Sequence, residues 1–347
     1  MEIKDLAGLS DPLKKLIEVV SAGIGGLSKP YLIRKTADAK AYEINKIAEA
    51  IKENQDDLKT IGFNEEKLSL MSLDHDSLRN NHSLEHRTQQ RVEYKEQKRQ
   101  KNIEAVTQKA AEELESETFV SEEPVDEDWT TRFFDYAENI SSEEMQALWG
   151  KILSGEVKKP KSYSLRTLDL LRNLSTEEAE AFIKFGTLAI KSSGTAFILN
   201  FNNESLLEEE YKLSFRERLL LEELGLLTAN DLAFNVKKTN GESRQSIFIN
   251  GKSIVIQEKL PNKPEQNIPV LVFTKIGMEL LQLVRTEPRT DYIQLLATKL
   301  DRNNGPIKYA KIVEELSNGR VRHTQLIDVP LTEKEKTELR AKEQATK

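Results

Sequence analysis

The sequence predicts a mainly α-helical protein with a smaller α+β part: N-terminal helices and a long charged helix, a central helical domain, and a C-terminal winged-helix-like region. Three observations carry this. Residues 84–118 contain neither Gly nor Pro, so nothing interrupts a helix that would extend for roughly 50 Å. Ser141, Ser175 and Ser214 each stand three residues before a Glu and just ahead of an apolar run, the pattern of a capping box that satisfies free N–H groups at a helix start. Two β-rich runs flank Asn250-Gly251, a hairpin signal because both residues tolerate positive φ.

The elements follow in order. In residues 1–60, Leu6, Leu9, Leu13, Leu16, Ile17 and Val20 fall at helical spacing until Gly23, Gly25 and Gly26 break the run. The "GIGG" there lacks the spacing and the preceding strand of a dinucleotide fingerprint, so it reads as a helix end. A second helix is expected from Pro30 to about Asp57, with Leu32, Ile33, Ile44, Ile47, Ala48 and Ile51 on its buried side. The apolar sides predict a helical pair packed on the protein or on a second copy. A peripheral membrane contact through residues 1–51 is the competing reading.

Residues 61–83 read as a polar loop. His75, His82 and the nearby His86 lie beside Asp74, Asp76 and Glu85, and histidines four or seven apart on a helix can share a metal. These three are the metal-ligand candidates. The surrounding Asp, Asn and Ser favour turns, however, and no HExxH motif is present, so a solvated loop and helix start is the expectation.

The long charged helix is assigned to residues 84–123. From His86 to Lys101 it carries six positive and two negative residues, and from Ala111 to Asp128 it has nine acids and no base. Its sparse apolar positions give a narrow seam of the kind two helices share. An antiparallel homo-oligomer is therefore expected, with Val92, Ile103, Val106 and Leu114 at or near the contact; the competing readings are a solvated helix strapped to the protein's own core and a basic half laid on nucleic acid. Residues 124–200 read as the central helical domain. Trp129, Phe133, Phe134 and Tyr136 form an aromatic cluster, and Met145, Leu148, Trp149, Ile152 and Leu153 continue a core stripe that Gly155 ends. Trp149 is expected to be a core anchor. A basic loop and helix follow, where Lys158, Lys159, Lys161, Arg166 and Arg172 are candidate phosphate contacts.

Residues 201–287 form the winged-helix-like part: a capped helix to Gly225, a strand near 231–238, the Asn250-Gly251 hairpin, and a strand that ends at a Thr cap and enters a helix. Residues 288–330 read as an α/β extension, with a helix from Tyr292 to Leu300, a second helix ending at Leu316, and a strand near 320–329. Residues 331–347 form a charged tail.

Residues 126–174, "DEDWTTRFFDYAENISSEEMQALWGKILSGEVKKPKSYSLRTLDLLRNL", resemble an uncharacterised bacterial family, a domain of unknown function. The opening helices, the long charged helix and "VFTKIGMELL" also look like it. The segment "EEMQALWGKIL" and the helical-then-winged layout bear a looser likeness to abortive-infection alpha-type phage-resistance proteins. That likeness implies a role in phage defence and brings no catalytic residues.

The bulk numbers set the exclusions. With 347 residues and 38% hydrophobic content, the chain can fill two or three cores. The absence of cysteine removes disulfides, thiolate zinc sites, iron–sulfur clusters and a cysteine nucleophile. The start lacks the basic-then-apolar order of a signal peptide, and no apolar run reaches the roughly 20 residues of a membrane span, so a cytoplasmic location is expected. No Walker loop, GxSxG elbow or kinase set is present. As carboxylate ligands for a metal nuclease, the strand-rich part offers Asp231, Glu242 and Glu258. The reading is a non-enzymatic assembly or interaction protein with no cofactor, which works through oligomerisation and a protein-binding winged-helix region. The alternative is a winged-helix DNA-binding regulator, and an unrecognised metal-dependent hydrolase or nuclease also stays open.

Overall fold

The computed structural model describes residues 10–25, 84–200, 204–230, 232–287, 289–315, 321–331 and 336–337. Among these are ten helices and nine strands, a mixed α and β architecture. The chain divides into two compact units, residues 1–168 and 169–347.

The first unit is helical. It contains α1 (Asp11–Ile24), α2 (Leu84–Leu114), α3 (Glu127–Ala137), α4 (Glu143–Lys158) and the start of α5 (Leu165–Asn173). Its core lies between the second half of α2 and α4, with α1 and α3 packed on both. Leu16, Ile17, Val106, Leu114, Phe133, Trp149, Ile152 and Leu153 are buried there. The expected aromatic cluster forms: Trp129 stacks on Phe133 at 5.0 Å between ring centroids, and Trp149 meets Phe133 at 5.3 Å and Tyr136 at 6.2 Å. Gly150 brings α4 close to α2, since a Cβ there would come within 2.5 Å of Lys109 Cβ.

Gly155 was expected to end α4, yet the helix continues to Lys158. The glycine makes room for the Tyr163 ring, which would lie 2.9 Å from an added Cβ. The start signals are realised with one shift. Ser175 and Ser214 form full capping boxes with Glu178 and Glu217. At α4 it is Ser142, not Ser141, whose hydroxyl accepts from the backbone of Met145.

The second unit is built on one antiparallel sheet. Helix α6 (Thr176–Thr187) leads into β1 (Ile190–Ser192) and β2 (Thr195–Leu199). Then come α7 (Glu204–Tyr211), α8 (Phe215–Glu223), β3 (Leu232–Val236), β4 (Arg244–Asn250), β5 (Ser253–Lys259), β6 (Gln266–Val272), α9 (Lys275–Leu280) and α10 (Thr290–Lys299). A 3-10 turn (Arg302–Asn304) precedes β7 (Ile307–Glu315), β8 (Val321–His323) and β9 (Ile327–Asp328). The strand order is β3-β6-β2-β1-β4-β5-β7-β8, and β9 also pairs with β7. Phe234 lies between Phe197 and Phe248, with ring centroids 4.8 and 5.7 Å away, and so joins β3, β2 and β4. Buried Tyr292 ties α10 to the sheet by accepting the Leu199 N–H at 3.1 Å.

Four expectations are corrected here. The β content is larger than a minor α+β part, because residues 190–199, assigned to the helical domain, form the β1–β2 hairpin. Its corner residues Ser193 and Gly194 both have positive φ, 50° and 79°. The segment expected to be a helix up to Leu316 contains β7, whose residues 307–311 pair with β5. The β4–β5 hairpin turns on Gly251-Lys252, and only Gly251 has positive φ, 53°. That hairpin is no free wing: β1 pairs with β4 and β7 with β5, so this arrangement gives no specific support to a winged helix. Thr274, by contrast, caps α9 as expected, accepting from Gly277 N.

Candidate interaction surface

The most exposed regular element is the first half of α2. Leu84, Val92 and Tyr94 are 73%, 49% and 67% exposed, and only His86, Arg99 and Gln100 in residues 84–101 are half-buried. An isolated helix of this length is marginal in water, because nucleation is costly. Here the nucleus is supplied by residues 102–114, which pack on α4, and the exposed half only propagates from it. Pairs along the helix add to it: Arg99 to Glu96 at 2.8 Å, Gln100 to Glu104 at 2.8 Å and Gln97 to Glu93 at 3.4 Å. Each such pair is worth about 0.2–0.5 kcal/mol.

The arm leaves the core at buried Asn102. That amide donates to Glu138 O at 2.8 Å and Ser141 Oγ at 3.3 Å. One turn outward, Arg99 reaches Glu138 at 3.3 Å. At 100° per residue, Arg87, Arg91, Tyr94, Lys98 and Lys101 fall within an arc of about 80° and span about 21 Å along the axis. Glu85, Glu93 and Glu96 face elsewhere. Among the described residues, Arg87, Arg91, Lys95, Lys98 and Lys101 have no ion-pair partner.

The candidates named from the sequence are placed differently. Ile103, Val106 and Leu114, expected at a contact with a second copy, are buried within their own unit against its helices. They are not available to a partner while the unit is folded. Of that set only Val92 is exposed. Lys158 pairs with Glu117 at 3.0 Å, and Lys161 pairs with Glu123. Of the basic loop, Lys159, Lys161 and Arg166 stand exposed, and Arg172 is exposed on the last turn of α5. His86 sits on α2 with a ring nitrogen 2.8 Å from the Gln90 amide. His75 and His82 lie outside the described residues, as do the expected loop at 61–83, the expected helix from Pro30 to Asp57 and most of the tail. For the membrane reading of residues 1–51, the part described is α1, whose Leu16, Ile17, Val19 and Val20 are buried.

Three buried or part-buried charged groups elsewhere, Glu156, Lys15 and Lys259, have structural partners. Glu156 is 1% exposed, and its two carboxylate oxygens accept from Lys161 N at 2.5 Å and Tyr163 N at 3.0 Å. This holds the loop in which Lys161 has φ 70°. Near it, Lys15 donates to the carbonyls of Ser121 and Glu123 at 2.5 and 2.6 Å. Its burial outweighs Glu18, Glu123 and Glu156 and lowers its pKa. Lys259, 1% exposed, donates to the carbonyls of Val236, Lys237 and Pro264 at 3.1, 2.9 and 2.5 Å. Burial lowers its pKa too, but all three ammonium hydrogens are used, so it works as a staple and not as a nucleophile. Burial also pushes the Tyr211 hydroxyl up to about 12, and Asp291 adds to the shift. Arg289 covers that ring at 4.8 Å.

Among the described residues, the second unit has a cleft lined by Phe185, Leu207, Leu213, Phe215, Arg218 and Leu271. Phe215 and Leu219, one turn apart on α8, are half-exposed beside it. No helix among the described residues is long and apolar enough to cross a membrane.

The signal for the arm was present in the charge asymmetry of residues 86–101. What the sequence did not show is which half of the helix the core covers. No curated protein and no solved structure matches the chain. A family model described as a protein of unknown function (DUF2806) matches residues 86–297, a span that opens on the arm and reaches α10. The chain therefore belongs to the DUF2806 family.

Proposed function

We propose that the chain is a non-enzymatic interaction protein whose working surface is the basic arm of α2, which docks a partner of dense negative charge. The observation that supports this reading is the row Arg87, Arg91, Lys98 and Lys101, exposed and without carboxylate partners among the described residues. The helices of the first unit serve as the scaffold that holds the row in place. Self-association through α2 is the weaker account. With Ile103, Val106 and Leu114 buried, an antiparallel second copy would have to set Arg87, Arg91 and Lys98 against Glu115 just past the helix end, exposed Glu112 and half-buried Glu104. Three such pairs per copy, at about 0–1 kcal/mol each, do not clearly exceed an association cost of about 4–15 kcal/mol.

A second reading has its own observation. The cleft with half-exposed Phe215 and Leu219 on α8 supports a protein contact in residues 201–287, the region read from sequence as winged-helix-like. A DNA-reading role for α8 is less favoured, because Arg218 is bound to Glu222 at 2.8 Å.

Heparin-agarose tests the arm. Wild type should be retained and elute with salt. A variant carrying R87Q, R91Q, K98Q and K101Q should elute at clearly lower salt, and one carrying K158Q, K159Q and K161Q should shift less. A wild type that flows through, or two variants that shift equally, would remove the arm from this role.

A further inference from the structure

The face Arg87, Arg91, Tyr94, Lys98 and Lys101 also has the shape of a particular polyanion's contact. We infer that it docks double-stranded nucleic acid through the phosphate backbone, without regard to base sequence. This rests on the reading of the arm as an interaction surface and names its partner.

The first argument is charge. The chain as a whole is acidic, with formal net charge −7, and several of its lysines outside the arm are paired: Lys158 with Glu117, Lys161 with Glu123, Lys184 with Glu217. Among the described residues, Arg87, Arg91, Lys98 and Lys101 on one side of the arm have no ion-pair partner. A duplex carries one charge per about 1.7 Å of axis, so the roughly 21 Å row would face about twelve phosphate charges. The acids on the second half of α2 and just past its end are half-buried Glu104 and exposed Glu112, Glu113 and Glu115, a sparser match than a duplex.

The second argument is shape. A helix with its side chains is about 10–12 Å across, and the major groove is about 12 Å wide. Of the eighteen residues 84–101 of α2, all but His86, Arg99 and Gln100 are exposed, so a duplex could lie along the arm without meeting another described element. Arg87 and Arg91, one turn apart, can each hold a phosphate with two parallel N–H donors, and the Tyr94 hydroxyl between them and Lys98 can donate to a third. Lysine at Lys98 and Lys101 supplies point charge at the core end.

The third argument is what the arm lacks. A helix that lies in an anionic bilayer buries a continuous apolar face beside the basic one. Here the exposed apolar positions are Leu84 and Val92, two turns apart, and Tyr94 lies within the basic row. An acidic protein surface is satisfied by scattered pairs and gives no reason for a row confined to one arc.

The test uses the full chain and fluorescein-labelled 25-base-pair duplexes of two unrelated sequences, read by anisotropy. Four phosphate contacts give a log–log salt slope of about −3.6, so affinity should weaken about 150-fold between 50 and 200 mM salt. The two duplexes should bind alike. The variant with R87Q, R91Q, K98Q and K101Q should lose at least tenfold in affinity at 50 mM salt with unchanged helical circular dichroism, since glutamine keeps the helix propensity. Replacing Lys159 and Arg166 by Gln should leave binding in place. Duplex binding that ignores the fourfold substitution overturns the proposal. Retention on heparin without duplex binding also overturns it but leaves the arm's general role standing. So does stronger binding of a polyglutamate peptide or of phosphatidylglycerol vesicles than of duplex. Loss of heparin retention together with duplex binding would remove both readings.

Discussion

At the scale of single residues, the fold is set by side chains whose partners can be counted. Trp149 is fully buried between Phe133 and Tyr136. Trp149→Ala should cost about 3–5 kcal/mol in chemical denaturation, as large aromatic truncations do. Its indole N–H has no acceptor among the described residues, so Trp149→Phe loses volume but no hydrogen bond and should be milder. A phenylalanine variant as unstable as the alanine variant would show that the indole is bonded. Glu156 acts differently, because its value lies in two backbone N–H groups of the 159–163 loop. Glu156→Ala leaves both without an acceptor, at about 1–3 kcal/mol each. Glu156→Gln keeps one acceptor oxygen and should recover part of the loss. Equal stability for the two variants would mean that the loop does not depend on this side chain.

At the scale of elements, local chemistry fixed some and long-range pairing fixed others. Helix α8 starts on Ser214, whose hydroxyl accepts from Glu217 N, while the Glu217 carboxylate accepts from Ser214 N at 3.0 Å and from Lys184 at 2.5 Å. Burial pushes the Glu217 carboxyl up, but the Lys184 and Ser214 bonds outweigh it and hold its pKa below the usual value. A depressed carboxylate stabilises the fold above its unfolded pKa, and that contribution is lost as pH falls through the folded value. The melting-temperature gap between wild type and Glu217→Gln should thus be widest near about pH 7 and close towards about pH 3. A constant gap would contradict the assignment. The same start was legible in sequence because Ser and Glu three apart interact only with their own turn. β7 was not legible: Tyr309, Ile312, Val313 and Leu316 repeat at helical spacing, and only its pairing with β5 makes it a strand. In the strand Val313 is left 67% exposed, a position a buried helix face would not give it. β1 and β2 carried a readable signal, a Ser-Gly corner before "TAFIL", which the capped helix ahead of it overshadowed. For the arm, the cations were readable one by one. Their freedom was not, since it depends on Asn102 and Ile103 being where the core begins.

At the scale of the whole molecule, one helix carries two jobs that the sequence runs together. Residues 102–114 of α2 are core and residues 84–101 are surface, with the change falling within one turn. The apolar residues of this helix therefore have different fates, and substitution separates them. Ile103 and Val106 are 7% and 0% exposed. A carboxylate at either site would be buried without a partner at a cost of several kcal/mol, against a total stability of about 5–15 kcal/mol for a domain. Replacing both by Asp should thus unfold the first unit, with lost helical circular dichroism and aggregation in light scattering. Val92→Asp should leave the spectrum, the melting temperature and the scattering mass unchanged, because Val92 is half-exposed on the arm. A double variant that stays helical while its mass halves would mean that Ile103 and Val106 face a second copy after all. The division of α2 into core and arm would then fail, and the basic row would have to be reassigned with it.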